Sequence, residues 1–194
     1  MTTDNITSFK QFGLKSSLLK ALDNVGYETP SPIQAQTIPL LLENRDVLGQ
    51  AQTGTGKTAA FLLPIIHNLH ESKKGSPGLR ALVVTPTREL ALQVSDSMRT
   101  YSKNLPLRST VVHGGVSANP QISSLRKKPD LLVATPGRLL QHLDQTSGEG
   151  GWQATWVCYQ CGRSAHDVLL RVDVFSRAGQ CVGWLTANVS ACRA

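Results

Sequence analysis

The sequence predicts an α/β fold in which helices cover both faces of a parallel sheet. Short strands made almost wholly of apolar residues, such as residues 81–85 and 130–134, alternate along the chain with helical segments. A glycine-rich turn, residues 51–58, stands between one such strand and a helix. Strands that are apolar on both sides are typical of parallel sheets, because helices bury both of their faces.

The first elements are predicted from periodicity and from helix-start signals. Apolar residues recur at helical spacing over residues 14–25 and predict the first helix. Ser31 is suited to cap a second helix that has Pro32 at its first position and extends to residue 42. Residues 46–49 follow as a short strand.

The later elements continue the alternation of helices and strands. Thr87 can cap one helix, and Thr135 with Pro136 can open another. The predicted helices cover residues 57–70, 88–101 and 136–143, and the predicted strands cover residues 81–85, 109–112 and 130–134.

Composition narrows the class of protein. The chain has 194 residues, of which 40% are hydrophobic, with a formal charge of +7 and a pI near 9.5. A basic balance favours a polyanionic partner such as nucleic acid. No apolar run approaches the roughly 20 residues that cross a bilayer. The polar start lacks the basic and apolar regions of a signal peptide. These features predict a cytoplasmic protein with no membrane association.

The glycine-rich turn has the pattern of a phosphate-binding loop, although Ala51 stands where the general pattern has glycine. Gly54 and Gly56 let the backbone approach a phosphate, and the start of a helix attracts anions. Lys57 can contact the β- and γ-phosphates, and the hydroxyl of Thr58 can bind Mg²⁺. We therefore predict a P-loop NTPase that binds a nucleoside triphosphate and Mg²⁺, with Lys57 and Thr58 also assigned to catalysis. The predicted loop residues are Ala51, Gln52, Thr53, Gly54, Thr55, Gly56, Lys57 and Thr58.

The segments around this loop carry the motifs of one helicase family. Residues 26–34, Gly-Tyr-Glu-Thr-Pro-Ser-Pro-Ile-Gln, resemble a Q motif, and Phe9 stands 17 residues before its first glycine. Residues 86–91 match motif Ia, residues 114–115 the GG motif, and residues 135–138 motif Ib. In order and spacing these motifs resemble the DEAD-box ATP-dependent RNA helicases, most of all the bacterial ones, from about residue 8 to residue 145.

The resemblance implies a nucleotide site that includes the Q motif. Gln34 is expected to recognise adenine, because a side-chain amide can donate to N7 and accept from N6 at once. Phe9 is expected to stack on the base, and Tyr27 is counted with the same site. From the residues alone, Gln34 could instead face solvent, and Phe9 could instead be a core aromatic residue.

The resemblance also implies a track that binds the RNA backbone. Backbone N–H groups and arginines bind phosphate without recognising sequence, and contacts to 2′-hydroxyls distinguish RNA from DNA. Arg88 and Arg138 could instead be plain surface charges, and the basic run at residues 125–128 is predicted to be a solvated face. The predicted RNA-binding residues are Pro86, Thr87, Arg88, Gly114, Gly115, Thr135, Pro136, Gly137 and Arg138.

The resemblance ends where the composition changes. Every proline and lysine precedes residue 146, and every tryptophan and cysteine follows it. Residues 1–145 are predicted to be the N-terminal part of a helicase ATP-binding domain, with an incomplete RecA-like sheet. Residues 146–194 are predicted to be a tail outside the family, frameshifted or disordered. Within this tail, residues 168–175 and 181–185 could pair as a hairpin.

The family's next motif, Asp-Glu-Ala-Asp, does not occur, since the sequence contains no Asp-Glu pair. No Ser-Ala-Thr motif or second domain with an arginine finger follows. The expectation is a truncated fragment of an ATP-dependent RNA helicase whose parent couples ATP hydrolysis to RNA unwinding. The fragment is expected to bind ATP, Mg²⁺ and RNA but to be inactive alone. The alternatives are a non-catalytic RNA- and ATP-binding fragment, or another P-loop NTPase such as a DNA helicase.

Overall fold

A computed structural model describes residues 6–72, 79–146 and 167–170 of the chain. A 3₁₀ turn at Phe9–Phe12 precedes the first helix. The helices are α1 Ser16–Asn24, α2 Pro32–Leu42, α3 Lys57–Glu71, α4 Arg88–Tyr101, α5 Asn119–Arg126 and α6 Pro136–Thr146. The strands are β1 Val47–Gln50, β2 Ala81–Val84, β3 Ser109–Val112, β4 Leu131–Ala134 and β5 Asp167–Leu170.

Three strands form the predicted parallel sheet, in the order β2–β4–β3. Leu131 at the start of β4 is level with Ala81 on one side and with Ser109 on the other. Chain neighbours β2 and β3 are therefore not sheet neighbours, and a helical crossover connects each pair of parallel strands. The predicted α/β class is confirmed.

Strand β1 differs from the prediction because it does not belong to this parallel sheet. It pairs antiparallel with β5, with Val47 level with Leu170. Strand β5 overlaps the first strand of the predicted tail hairpin, but its partner here is β1. The second predicted hairpin strand, residues 181–185, and the other tail positions outside 167–170 lie outside the described residues.

Both faces of the parallel sheet are buried, as its apolar strands predict. Ala81 and Val83 of β2 contribute to the larger core cluster, which also contains residues of α3 and α4. The alternate residues Leu82 and Val84 contribute to a smaller cluster with Leu139 of α6. Successive side chains of a strand point to opposite faces, so helices lie against both sides of β2.

Helix α3 is the central helix, and it packs against α2 and α4. A helix that is apolar on all sides is typically buried. Because α3 begins directly after the phosphate loop, its burial fixes the position of that loop next to the core. Its buried residues are Lys57, Ala59, Ala60, Phe61, Leu62, Leu63, Pro64, Ile65, Ile66 and Leu69.

An ion pair joins the starts of the parallel strands. The guanidinium Nη2 of Arg80 lies 2.7 Å from Asp130 Oδ1, and the two side chains are only 13% and 16% exposed. The other carboxylate oxygen of Asp130 accepts from the backbone N–H of Arg108 at 2.8 Å. Arg80 Nη1 donates to the carbonyl of Leu69 in α3 at 2.7 Å. One carboxylate thus connects the segments that lead into β2, β3 and β4, and its arginine partner extends the connection to α3.

Candidate functional site

The phosphate loop, residues 51–56, connects the carboxyl end of β1 to the first residue of α3. Gly54 and Gly56 have φ angles of 83° and 84°, in the left-handed region that favours glycine. Gln52, Thr53 and Gly54 are exposed, whereas Ala51, Thr55 and Gly56 are partly buried. The loop therefore presents its backbone to solvent directly in front of a helix N-terminus, which is an arrangement suited to an anion.

Lys57 lies beneath this loop. Its side chain is buried, and its Nζ donates to the carbonyl oxygens of Ala51 and Gln52, both at 2.6 Å. Burial lowers the pKa of Lys57. A phosphate that binds Lys57 would exchange for these two carbonyls. Thr58, the next residue of α3, is partly buried.

The N-terminus of α2 is hydrogen-bonded to the phosphate loop. Ser31 Oγ donates to the carbonyl of Thr55 at 2.7 Å, and Gln34 Nε2 donates to the carbonyl of Gly56 at 3.1 Å. Gln34 Oε1 accepts from the backbone N–H of Ser31 at 2.9 Å. Gln34 is 4% exposed, so the alternative of a solvent-facing residue is wrong. Its amide keeps one N–H and one lone pair for a further ligand.

Phe9 lies in the core rather than at an open surface. It is 3% exposed, its ring stacks on Tyr27 at 6.0 Å, and its edge meets Phe12 at 5.8 Å. The Tyr101 hydroxyl donates to that of Tyr27 at 3.4 Å, and burial raises the pKa of Tyr101. This placement matches the alternative of a core aromatic residue. Stacking of Phe9 on a base stays a prediction, and Tyr27 is the more accessible ring.

We expect Gly56→Ala to lower thermal stability more than Gly54→Ala does. The left-handed conformation costs any L-residue about 1–2 kcal/mol at either position. A Cβ on Gly56 would also collide with the Gln34 amide nitrogen, whereas a Cβ on Gly54 would have no atom of the described part of the chain within 4 Å. Thermal unfolding of the two variants measures the difference. In a Gln34→Ala background, Gly56→Ala should cost no more stability than Gly54→Ala does. Equal losses for Gly54→Ala and Gly56→Ala in the unmodified chain would contradict the predicted collision with Gln34.

A second group of predicted residues meets at one edge of the parallel sheet. Thr85 N donates to the carbonyl of Ala134 at 2.8 Å, and Thr135 N donates to that of Val112 at 3.0 Å. The loops after β2, β3 and β4 therefore leave the sheet side by side, as the carboxyl ends of parallel strands do. All nine predicted RNA-binding residues lie in these loops or in the first turns of α4 and α6, and all are exposed or partly buried, namely Pro86, Thr87, Arg88, Gly114, Gly115, Thr135, Pro136, Gly137 and Arg138.

The structure brings Arg88 next to the loop after β3, residues 113–118, here called the GG loop. A Cβ built on Gly115 would lie 3.4 Å from Arg88 Nη1, and Gly115 has a φ of 78°. Arg88 itself is exposed. Thr87 caps α4 by accepting from Leu90 N at 3.3 Å, and its O–H is still able to donate. Motif Ia and the GG motif thus present one continuous surface.

Arg138 does not lie free at the surface. Its Nη2 donates to the carbonyl of Val116 in the GG loop at 2.8 Å, and its Nε and Nη1 are buried without a hydrogen-bond partner among the residues that the structure describes. Of the two predicted phosphate-binding arginines, Arg88 is therefore exposed, whereas Arg138 is turned toward the protein. A direct contact between Arg138 and a phosphate stays a prediction.

Two buried polar residues beside the GG loop were not predicted. Gln121 of α5 donates from Nε2 to the carbonyl of His113 at 3.0 Å. His142 of α6 lies with its Nε2 3.3 Å from Gln121 Oε1. Burial, and secondarily the charge of Arg138, lowers the pKa of His142. No local spacing signals this arrangement, because its members lie on different elements.

The fold and the first site together define an α/β protein with a phosphate-binding loop. A family model described as DEAD/DEAH box helicase matches residues 31–156. The chain therefore belongs to the DEAD/DEAH box helicase family, and the predicted family is confirmed.

Known relatives agree with this assignment. The chain is 50% identical over 137 residues to an ATP-dependent RNA helicase, CshA, from Limosilactobacillus reuteri, covering 71% of this chain and 27% of the relative. It is 51% identical over 136 residues to the DEAD-box ATP-dependent RNA helicase RhpA from Helicobacter pylori, covering 70% and 27%. The chain thus spans about a quarter of the length of these relatives.

Solved structures give the same result for the fold. A DEAD box protein from Methanococcus jannaschii superposes with a TM-score of 0.69 at 34% identity, covering 79% of this chain and 41% of that one. An RNA helicase from Chaetomium thermophilum, solved bound to ADP, gives a TM-score of 0.70 at 36% identity and covers 79% and 38%. In the part of our chain that the structure describes, none of the helices has the length and apolar character of a membrane span.

Proposed function

We propose that this chain is the ATP-binding part of an ATP-dependent RNA helicase. In this proposal the phosphate loop binds ATP with Mg²⁺, and the loops after β2, β3 and β4 bind the backbone of single-stranded RNA. The observation that carries it is the pair of hydrogen bonds from the α2 N-terminus to the phosphate loop, made by Ser31 and Gln34. These bonds hold Gln34, which is able to recognise a base, beside the loop residues that are able to bind the phosphates of the same nucleotide.

The nucleotide part of the proposal assigns a role to each group. The amide of Gln34 recognises adenine, Lys57 neutralises the phosphates, and the Thr58 hydroxyl contributes one oxygen ligand to Mg²⁺. A single protein oxygen is compatible with this ion, which keeps several waters and binds the phosphates of its substrate. When bound, Mg²⁺ supplies positive charge next to the β- and γ-phosphates.

The names of the relatives support the same function. CshA and RhpA are named as ATP-dependent RNA helicases, and the Chaetomium structure contains ADP. The domain boundary near residue 145 and the cytoplasmic location remain part of this proposal. The family model matches as far as residue 156, a little beyond that boundary.

Nucleotide preference tests the adenine site. We expect the chain to bind ATP more tightly than GTP, because guanine has a carbonyl oxygen where adenine has an amine. Gln34→Ala should remove most of that preference. Gln36→Ala is the matched control, since Gln36 is an exposed residue of the same helix. Titration with fluorescent nucleotide analogues measures both affinities, and equal binding of ATP and GTP by the unmodified chain would contradict the role of Gln34.

The salt dependence of RNA binding tests the backbone track. Arg88→Ala is expected to weaken single-stranded RNA binding irrespective of base sequence and to lower the slope of log K against log[salt] by about 1. Arg99→Ala is the control, because Arg99 is an exposed arginine at the other end of α4. Binding is measured by anisotropy with two RNAs of different sequence at several salt concentrations. A loss confined to one sequence would indicate base recognition instead.

Binding of single-stranded DNA and an ATPase assay separate the remaining alternatives. A DNA helicase would bind single-stranded DNA at least as well as RNA of the same sequence. A fragment that only binds ATP and RNA would show both affinities without turnover. The second alternative has a specific observation in its favour, because the sequence contains no Asp-Glu pair.

A further inference from the structure

We infer that Gln121 and His142 are positioning residues that hold the GG loop in the conformation that binds the RNA backbone. This inference rests on the proposed RNA-binding role of that loop. It assigns no contact with RNA to either residue, and both are buried, at 8% and 4% exposure.

The amide of Gln121 is the centre of the arrangement. It donates from Nε2 to the carbonyl of His113, the first residue of the GG loop, at 3.0 Å. Its Oε1, which can only accept, lies 3.3 Å from Nε2 of His142. Nε2 of His142 therefore carries the proton of this hydrogen bond. Helix α6 thus supports the beginning of the GG loop through α5.

Helix α6 also holds the far side of the same loop. Arg138 Nη2 donates to the carbonyl of Val116 at 2.8 Å. The two points of attachment, His113 and Val116, enclose Gly114 and Gly115. Both glycines are exposed, and Gly115 is in the left-handed region.

A span of two glycines has unusually many accessible conformations when its ends are free. Fixing both ends reduces that freedom before a ligand arrives, so less entropy is lost when backbone N–H groups close on a phosphate. Gln121 and His142 would therefore contribute to RNA affinity without touching RNA. They would also couple the GG loop to motif Ib, since His142 and Arg138 are one helical turn apart on α6.

Three variants separate the two halves of this arrangement. Gln121→Met removes both hydrogen bonds. Gln121→Glu keeps an acceptor for His142 but cannot donate to His113. His142→Phe removes the bond between α5 and α6 and leaves the bond from Gln121 to His113 in place. Gln141→Met is the matched control, because Gln141 is an exposed glutamine of α6.

The experiment measures RNA affinity, ATP affinity and amide hydrogen exchange on the 194-residue chain. An unstructured ten-nucleotide oligouridylate is the RNA probe. We expect Gln121→Glu and His142→Phe each to bind it about 2- to 12-fold more weakly, the range of one lost hydrogen bond, and Gln121→Met to bind it more weakly than either. Exchange should accelerate at the amides of the GG loop, whereas exchange in the phosphate loop and ATP affinity should not change. The control should differ less than about twofold in RNA affinity, as surface changes usually do.

Each other outcome has a defined consequence. If the unmodified chain binds ATP but no RNA, the proposed RNA function fails and this inference fails with it. If the chain binds RNA and all three variants bind equally well, only the positioning role is overturned. Faster exchange throughout the chain together with weaker ATP binding would indicate a purely structural role and would also overturn it. If Gln121→Met does not fold, the less disruptive Gln121→Glu and His142→Phe still decide between these outcomes.

Discussion

Asp130→Ala is expected to lower the free energy of unfolding by about 3 kcal/mol, since removing one partner of a largely buried ion pair leaves the other charge uncompensated. Arg80 and Asp130 are 13% and 16% exposed, so little solvent is available to replace the carboxylate. The change also removes the acceptor for the backbone N–H of Arg108. Domains are typically stable by only about 5–15 kcal/mol, so this loss is a large share of the total.

Denaturant unfolding measures this effect through the midpoint at constant slope. Asp96→Ala is the control, because Asp96 pairs with Arg99 at the surface, where the two side chains are 71% and 78% exposed. Exposed pairs contribute about 0–1 kcal/mol. Asp130→Asn, which keeps one hydrogen-bond acceptor, should lower the free energy of unfolding by an amount between those of Asp96→Ala and Asp130→Ala. A loss below about 1 kcal/mol for Asp130→Ala would mean that the ion pair does not hold the strand starts together.

Most helix starts were predictable from local chemistry. Ser31 before Pro32, and Thr87 before Arg88, satisfy free N–H groups at the first turn, and both helices begin where these signals place them. Helix α5 was missed because its eight residues, Asn-Pro-Gln-Ile-Ser-Ser-Leu-Arg, include only two large apolar ones. A short helix whose only large apolar residues are Ile122 and Leu125 gives too weak a periodicity to distinguish it from a loop.

Strand pairing was less predictable than strand position. Residues 109–112 were predicted as a strand with the bounds that the structure has. The pairing of β1 with Asp167–Leu170 could not be predicted, because no local property of a short apolar strand specifies a distant partner. The parallel order β2–β4–β3 likewise depends on contacts between residues far apart in sequence.

In the candidate site, too, contiguous motifs were predictable and contacts between distant residues were not. The phosphate loop is a contiguous motif, so Gly54, Gly56 and Lys57 were found from sequence. The bond between Gln34 and the carbonyl of Gly56 joins residues 22 positions apart, and the bond between Gln121 and His142 joins residues 21 apart. Such contacts form only when the fold brings distant residues together, so the pattern of a single sequence does not predict them.

ATP turnover by the 194-residue chain assayed alone is expected to be slower than that of an intact helicase by a factor of about 10³ or more, with or without RNA. The loss of an arginine finger by itself costs about 10³–10⁵ in rate in phosphoryl-transfer enzymes. Hydrolysis also requires an acid that fixes Mg²⁺ and a group that orients the attacking water. The sequence contains no Asp-Glu pair that could supply them. Glu89, the one acid within motif Ia, is exposed at the start of α4, beside the loop edge assigned to RNA.

Lys57 and Thr58 cannot compensate for these groups. Binding the ground state and the transition state equally well does not accelerate the chemical step. Lys57 already donates to the carbonyls of Ala51 and Gln52, so it offers phosphate binding by exchange. The test is an RNA-stimulated ATPase assay on purified chain, with Lys57→Ala as the control for contaminating enzymes. Turnover that matches an intact helicase and disappears in Lys57→Ala would contradict the prediction, and it would mean that residues outside the recognised motifs supply the missing acid and the missing positive charge.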